Sequence, residues 1–248
     1  MKYFLTTFIL VFNLITLAQA EHASHLEFNN EVVKAQGSFD LSFQSAFLLG
    51  EFKQFYQKQT IPGAGLTMLF PVNKSQRFHI GMELGYLVMS YVKPTYNFND
   101  TWGETFEVKT KTFNSMIPLH IVSRLYTTKP LNSKFQLYME ALVGVRMIIL
   151  DKKVNVHQAI TDKHVHSETI TSTTASWGCG AGVGAKLKIS KGDMLYLNAK
   201  ACYLLGTPTT YQNPELMRVY EEGNHEYESF TSRTDILRLS LGIYLLLN

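Results

Sequence analysis

From about residue 36 onward, apolar side chains recur at every second position, a spacing that suits an extended strand with one oily and one polar face. Over 78–88, Phe78, Ile80, Met82, Leu84, Tyr86 and Val88 share one face, and His79, Gly81, Glu83, Gly85 and Leu87 share the other. The pattern returns over 135–149, where Phe135, Leu137, Met139, Ala141, Val143, Val145, Met147 and Ile149 oppose Gln136, Tyr138, Glu140, Gly144 and Arg146. It returns again over 237–247, where Leu237, Leu239, Leu241, Ile243, Leu245 and Leu247 oppose Arg238, Ser240, Gly242 and Tyr244. Weaker versions at 37–50, 62–70, 112–126, 175–189 and 194–205 bring the total to eight segments. Each is near or above the roughly 9–11 residues that a tilted strand needs to cross a hydrocarbon layer. Pro118, inside the fourth segment, lacks a ladder donor and predicts a local irregularity there.

The connections between these segments, at 51–61, 71–77, 89–111, 127–134, 150–174, 190–193 and 206–235, alternate long and short. That alternation predicts an all-β fold, an eight-stranded antiparallel transmembrane β-barrel of up-and-down meander topology. The last strand lies beside the first and both termini lie on the short-turn side. A soluble eight-stranded barrel with its oily face turned inward around a ligand has the same period. The polar face separates the two, because it carries Gly81, Gly85, Gly144, Gly178, Gly180, Gly182, Gly184 and Gly242. Glycine weakens a strand and belongs where neighbours crowd, as they do inside a small barrel with a filled lumen. The polar face is therefore the inner one.

Aromatic positions on the oily face agree. Phe39, Phe70, Phe78 and Phe135 fall at the short-turn ends of their strands, and Phe47, Tyr86, Phe113, Trp177 and Tyr203 fall in the long-loop half. Two such girdles are expected where a barrel wall meets the two membrane interfaces.

Residues 1–20 read as a secretory signal: Met1-Lys2, an apolar run from Tyr3 to Leu17, then Ala18-Gln19-Ala20, with cleavage expected after Ala20. The run is shorter than the roughly 20 residues a spanning helix needs. No cysteine precedes Cys179, so lipid attachment next to the cleavage site is not expected. Residues 21–35 are expected to form a periplasmic N-terminal segment and 36–248 the barrel. After residue 20 no stretch of 18 uncharged apolar residues occurs. The expected location is the outer membrane of a Gram-negative cell. The expected partners are its lipid, periplasmic chaperones and the barrel-insertion machinery. A net charge of +3 without a Lys/Arg block excludes nucleic acid as a partner.

By parity Asp40, Glu83, Glu140, Arg146, Lys200 and Arg238 point inward, with Arg124, Lys186 and Lys188 near the short-turn rim. Charges in a narrow lumen must pair. Glu83, Glu140, Arg146, Lys200 and Arg238 are therefore expected to form a structural ion-pair network, and His79 and His120 to be wall residues. Eight strands leave an interior that side chains fill, so a general diffusion pore is not expected. His157, His164 and His166, with Asp162 and Glu168, supply donors that suit zinc or nickel but lack the spacing of a known zinc motif, so no metal and no cofactor is assigned. Ser167 with His164 or His166 and Glu168 has the residue types of a hydrolytic triad. The segment Tyr91 to Glu107, with Tyr96, Phe98 and Trp102, and the last long connection, with Tyr211, Tyr220, Tyr227 and Phe230, are aromatic and polar together. That composition suits either an extracellular ligand or packing of one loop on another. Cys179 shares its face with Trp177, and Cys202 shares its face with Lys200, so the two thiols are expected to point apart and stay unbonded.

The strand and loop plan after residue 36, and most locally Ser115-Met116-Ile117-Pro118-Leu119, resembles the porin-like outer-membrane β-barrel domain family of the Bacteroidetes. The chain ends Leu245-Leu246-Leu247-Asn248 rather than on the aromatic residue usual in that family. The resemblance implies an integral outer-membrane barrel. The function expected on these grounds is a structural, adhesive or ligand-interaction role, with limited passive transport as a narrower option. The alternative from another class is an outer-membrane lipid hydrolase or acyltransferase built on the same barrel.

Overall fold

The computed structural model describes residues 37–56, 60–72, 76–99, 105–127, 134–158, 163–189, 195–219 and 225–247. The expected signal and the 21–35 segment lie outside these residues, as does the short turn at 190–193. The described elements are β1 (Gly37–Leu48), α1 (Gly50–Phe55), β2 (Thr60–Pro71), β3 (Phe78–Val92), β4 (Thr95–Asn99) and β5 (Thr105–Tyr126). They continue with β6 (Phe135–Gln158), β7 (Lys163–Lys188), β8 (Leu195–Gly206), β9 (Pro208–Val219), β10 (His225–Arg233) and β11 (Ile236–Leu247).

Among the described residues eight strands close a ring in the order β1-β2-β3-β5-β6-β7-β8-β11, and β11 returns to pair with β1. Every neighbouring pair is antiparallel. Closure satisfies the backbone donors and acceptors around the ring and leaves it no edge. Along β6 the outward positions Phe135, Leu137, Met139 and Val143 are exposed, while Gln136, Tyr138, Glu140 and Arg146 at the alternate positions are buried. The apolar face is the outer face.

The 89–111, 150–174 and 206–235 segments differ from the loops expected there. The β6–β7 ladder runs on to Gln158↔Lys163, β4 adds to β5, and β9 pairs with β10 as a separate hairpin. The expected loop at 51–61 contains α1. The oily face stops where these strands leave the ring, so the period-two signal fades. The ladder does not depend on that face and continues through a run rich in β-branched residues, including Thr169, Ile170, Thr171, Thr173 and Thr174.

Pro118 keeps its partner Arg146 on β6, but on its other side the β3–β5 ladder passes from Leu84↔Leu119 to Leu87↔Met116 without pairing the residues between. That side is where the missing donor falls. The ring of Pro118 turns inward over Gly85, where a Cβ would lie 2.7 Å from its Cγ. A shift between Val88 and Ser90 then exchanges the two faces of upper β3, so Tyr91 points outward and Ser90 is buried.

Cys202 is buried and Cys179 exposed, and both are free. They lie on neighbouring strands but in different rungs, with Cys179 opposite Leu205 and Cys202 opposite Gly182. Thiol titration of the denatured, unreduced protein is expected to return two free groups. On the folded protein a membrane-permeant maleimide should label Cys179 and spare Cys202. An intramolecular crosslink by mass would contradict this register.

Candidate functional site

The interior of the ring is filled in three tiers. At the short-turn end, Tyr126, Tyr138, Tyr196 and Tyr244 are buried, and the Tyr126 and Tyr244 hydroxyls meet at 3.2 Å. Lys186 reaches into this group, its Nζ 3.7 Å from the Tyr244 ring centroid, 4.1 Å from that of Tyr126 and 5.3 Å from that of Tyr196. The Lys186 Nζ, desolvated by the wall, is surrounded there by ring faces. His79 packs edge-on against Tyr126 at 5.0 Å, and its Nε2 lies 3.0 Å from the Gln76 carbonyl oxygen. The bulk of Tyr138 is accommodated by Gly184 on the facing strand, because a Cβ there would overlap the phenol ring.

The middle tier is ionic. Glu83 on β3 accepts from Lys200 and pairs with Arg238, while His120 Nδ1 stands 3.7 Å away and Thr67 donates to it at 3.4 Å. Glu140 on β6 is held by Arg124 through Nη2 at 2.8 Å and Nε at 3.1 Å, by Lys200 at 3.4 Å, and by the Cys202 thiol at 3.1 Å. Lys200 thus bridges the two carboxylates. Arg124 lies over the Tyr138 ring at 4.1 Å. Tyr138 donates to Asn198, and Asn198 donates to Asp40 at 2.6 Å. Strand parity explains the convergence. These residues alternate with outward apolar ones, and in a narrow ring inward side chains from opposite walls meet.

Arg146 does not join this network, contrary to the expectation for it. Its guanidinium donates to the carbonyl oxygens of Thr234 and, at 2.9 Å, Leu205. It sits at the long-loop end of the ring, where β8 ends and β11 begins, and backbone oxygens there are its acceptors. Arg124, expected near the rim, is the chief partner of Glu140.

The third tier closes the long-loop mouth. Phe52 of α1 is buried against Tyr56 and Tyr211, with ring centroids at 5.5 and 5.1 Å. Tyr56 stacks on Tyr211 at 5.7 Å, and Phe55 stacks on Phe230 at 4.0 Å. Asn114 Nδ2 donates to the Tyr56 hydroxyl at 2.7 Å. Burial pushes the Tyr211 hydroxyl above its ordinary pKa, opposed by its hydrogen bond to Ser232. The last long connection therefore packs on α1 through Tyr211 and Phe230. The side chains of Tyr220 and Tyr227, like Trp102, lie outside the described residues. No period-two signal marks α1, and the bulky residues at 52, 55 and 56 are the only trace of it in the sequence.

On the outer face Phe39, Phe70 and Phe78 are half-buried and Phe135 exposed at the short-turn end. Tyr86, Trp177 and Tyr203 are exposed and Phe113 is half-buried in the long-loop half.

The candidate hydrolytic and metal residues fall on the extended β6–β7 hairpin. Ser167 and Glu168 occupy successive positions of β7, so the strand turns them to opposite faces, and Ser167 Oγ donates to Asn155 at 2.9 Å. A relay from Ser167 through one histidine to Glu168 is not formed by that geometry. His157 is opposite His164 in the ladder, but the side chains of His164 and His166, and all of Asp162, lie outside the described residues. Among the described residues no group of three metal-ligating side chains occurs. On the inner face of this hairpin, burial lowers the Lys152 ammonium below its ordinary pKa, opposed by Glu168.

No family model matches the chain, and no curated protein matches it. Among solved structures it is similar to a major outer membrane protein from Thermus thermophilus (13% identity, 85% of this chain and 99% of that chain, TM-score 0.47). It is also similar to the outer membrane protein OprG from Pseudomonas aeruginosa (11% identity, 86% and 96%, TM-score 0.44). A third is Ail, the attachment invasion locus protein of Yersinia pestis, in complex with the heparin analogue sucrose octasulfate (10% identity, 87% and 100%, TM-score 0.39).

Breaking one member of a buried ion-pair set leaves its partners uncompensated, at about 3–5 kcal/mol. Glu83→Leu takes the carboxylate partner from Arg238 and leaves Lys200 with Glu140 alone, and is expected to destabilise the folded barrel by that amount in urea titrations in lipid vesicles. Arg146→Met removes donors held by carbonyl groups rather than by the network and is expected to cost less. Equal losses would mean that the network does not centre on Glu83.

Proposed function

We propose that this chain is an integral outer-membrane β-barrel with a structural or ligand-interaction role, its lumen sealed and its interactions carried by the strands that project from the long-loop end. The observation behind this reading is the inversion of polarity across the wall. Arg124, Glu83, Lys200 and Arg238 are fully buried inside the ring, whereas Phe43 is 63% exposed, Leu41 58%, Val183 60% and Leu241 55% on its outside. Soluble proteins seldom leave contiguous apolar surface of that extent in water. Hydrocarbon is the solvent that suits it. A soluble ligand-carrying barrel has the opposite arrangement.

The tyrosine tier, the ionic tier and the aromatic cover from α1 each fill the cross-section, which favours interaction over bulk passage. Adhesion or ligand binding through the β4–β5–β6–β7 extension and the β9–β10 hairpin fits this division. The folding partners on this reading are periplasmic chaperones and the barrel-insertion machinery. The strand plan and the Ser115 to Leu119 stretch support a place in the porin-like family of the Bacteroidetes.

Val143 faces outward at mid-wall, and arginine at the bilayer midplane costs about 2–4 kcal/mol. Val143→Arg is therefore expected to cut the folded yield in lipid vesicles, read as the mobility difference between boiled and unboiled samples. Ser229→Arg, on the exposed β9–β10 hairpin, should leave that yield unchanged. Equal yields for both would defeat the membrane reading. In planar bilayers the wild-type barrel is expected to give no steady open-channel current, and a stable conductance would refute a sealed lumen.

A further inference from the structure

The outer face of the extension carries a basic patch directly above the upper aromatic girdle. In the β5–β6 ladder Lys111 stands opposite Lys153, the next pair on the same face is Lys109 opposite Asn155, and the pair below is Phe113 opposite Asp151. Lys109, Lys111 and Lys153 are exposed, and Val108, Thr110, Thr112 and Val154 between them are buried, so the lysines share the outward face. From the neighbouring strand end Lys93 lies with Nζ 4.9 Å over the Tyr91 ring, and Tyr91 contacts Phe113 with ring centroids at 6.3 Å.

Like charges directly opposite on an antiparallel pair destabilise the sheet. Neither of the two acids on this face forms an ion pair with Lys111 or Lys153. Glu107 is paired with Lys109 at 2.7 Å, and Asp151 accepts from Thr171 at 2.8 Å. Among the described residues neither Lys111 nor Lys153 pairs with a carboxylate. A repulsive pair two residues, or about 7 Å along the strand, beyond Phe113 sits where the apolar wall has just ended. On the membrane reading, which this inference rests on, that is the level of the outer-leaflet headgroups.

We infer that Lys111 and Lys153, with Lys93 and Lys109 beside them, form a binding surface for a phosphorylated lipid headgroup of the outer leaflet. The phosphate sits between the two opposed ammonium groups, and the acyl chains run down over Tyr91, Phe113 and the apolar wall. The lipid supplies the counter-charge that the sheet lacks, and the girdle sets the depth at which it is met.

The test uses the full barrel in zwitterionic detergent, with its unfolding midpoint followed by the boiled-to-unboiled band shift. Diphosphoryl lipid A is expected to raise the midpoint. Its dephosphorylated form, and inorganic phosphate at the same concentration, should leave it where it was. In Lys111→Thr/Lys153→Thr, both positions keep a residue suited to an exposed strand. Relief of the repulsion should leave the lipid-free midpoint equal to or above that of wild type. The concentration of diphosphoryl lipid A giving half the effect should rise about tenfold, equivalent to about 1.4 kcal/mol of lost binding. The wild-type response should weaken as salt screens the contact. An equal response to both lipid forms, a response to inorganic phosphate alone, or an unchanged response in the double variant would each overturn the inference. The membrane reading is judged separately by the Val143→Arg vesicle result, so the two failures are told apart.

Discussion

The pairing of Gly37–Leu48 with Ile236–Leu247 joins the first strand to the last over the whole length of both. A sheet with apolar residues on its outer face and open edges would expose two rows of unpaired backbone groups to whatever solvates that face. In hydrocarbon no such row is tolerable. Closure removes both rows at once, and it also fixes the inner cross-section. With eight strands that section is only as wide as inward side chains can fill.

The content of the lumen follows from that width. Of the charged side chains buried in the ring, Asp40, Glu83 and Glu140 are outnumbered by Arg124, Arg146, Lys186, Lys200 and Arg238. Carboxylates alone cannot neutralise the bases. The excess is absorbed in two other ways: Arg146 is held by carbonyl oxygens at the mouth, and Lys186 by tyrosine faces at the opposite end. The glycines of β7 are the other half of this arrangement, since the strand that gives up its side chains faces the one that carries Tyr138, Glu140 and Arg146.

Beyond the apolar wall the same ladders continue under different rules. Water can satisfy an edge there, so β4, upper β7 and the β9–β10 hairpin need no closure, and their outward positions change from leucine and valine to threonine and lysine. The change marks where the wall ends. It also sets Lys111 opposite Lys153.

Period two along the chain determined the ring strands, their inward and outward faces and the opposed faces of Cys179 and Cys202. Each of these depends only on the alternation of side chains along an extended backbone. The inward placement of Glu83, Glu140, Lys200 and Arg238 was legible for the same reason. Which of them touch was not, because contact across the lumen depends on how the strands are staggered around the ring, and parity carries no information about stagger. That is why Arg124 is the partner of Glu140 and Arg146 is not. The extent of β6 and β7, the covering helix at Gly50–Phe55 and the seat of Tyr211 and Phe230 on it were likewise decided only in three dimensions. Where neither face is apolar, a strand and a polar loop read alike in sequence, and only the hydrogen bonds of a neighbouring strand tell them apart.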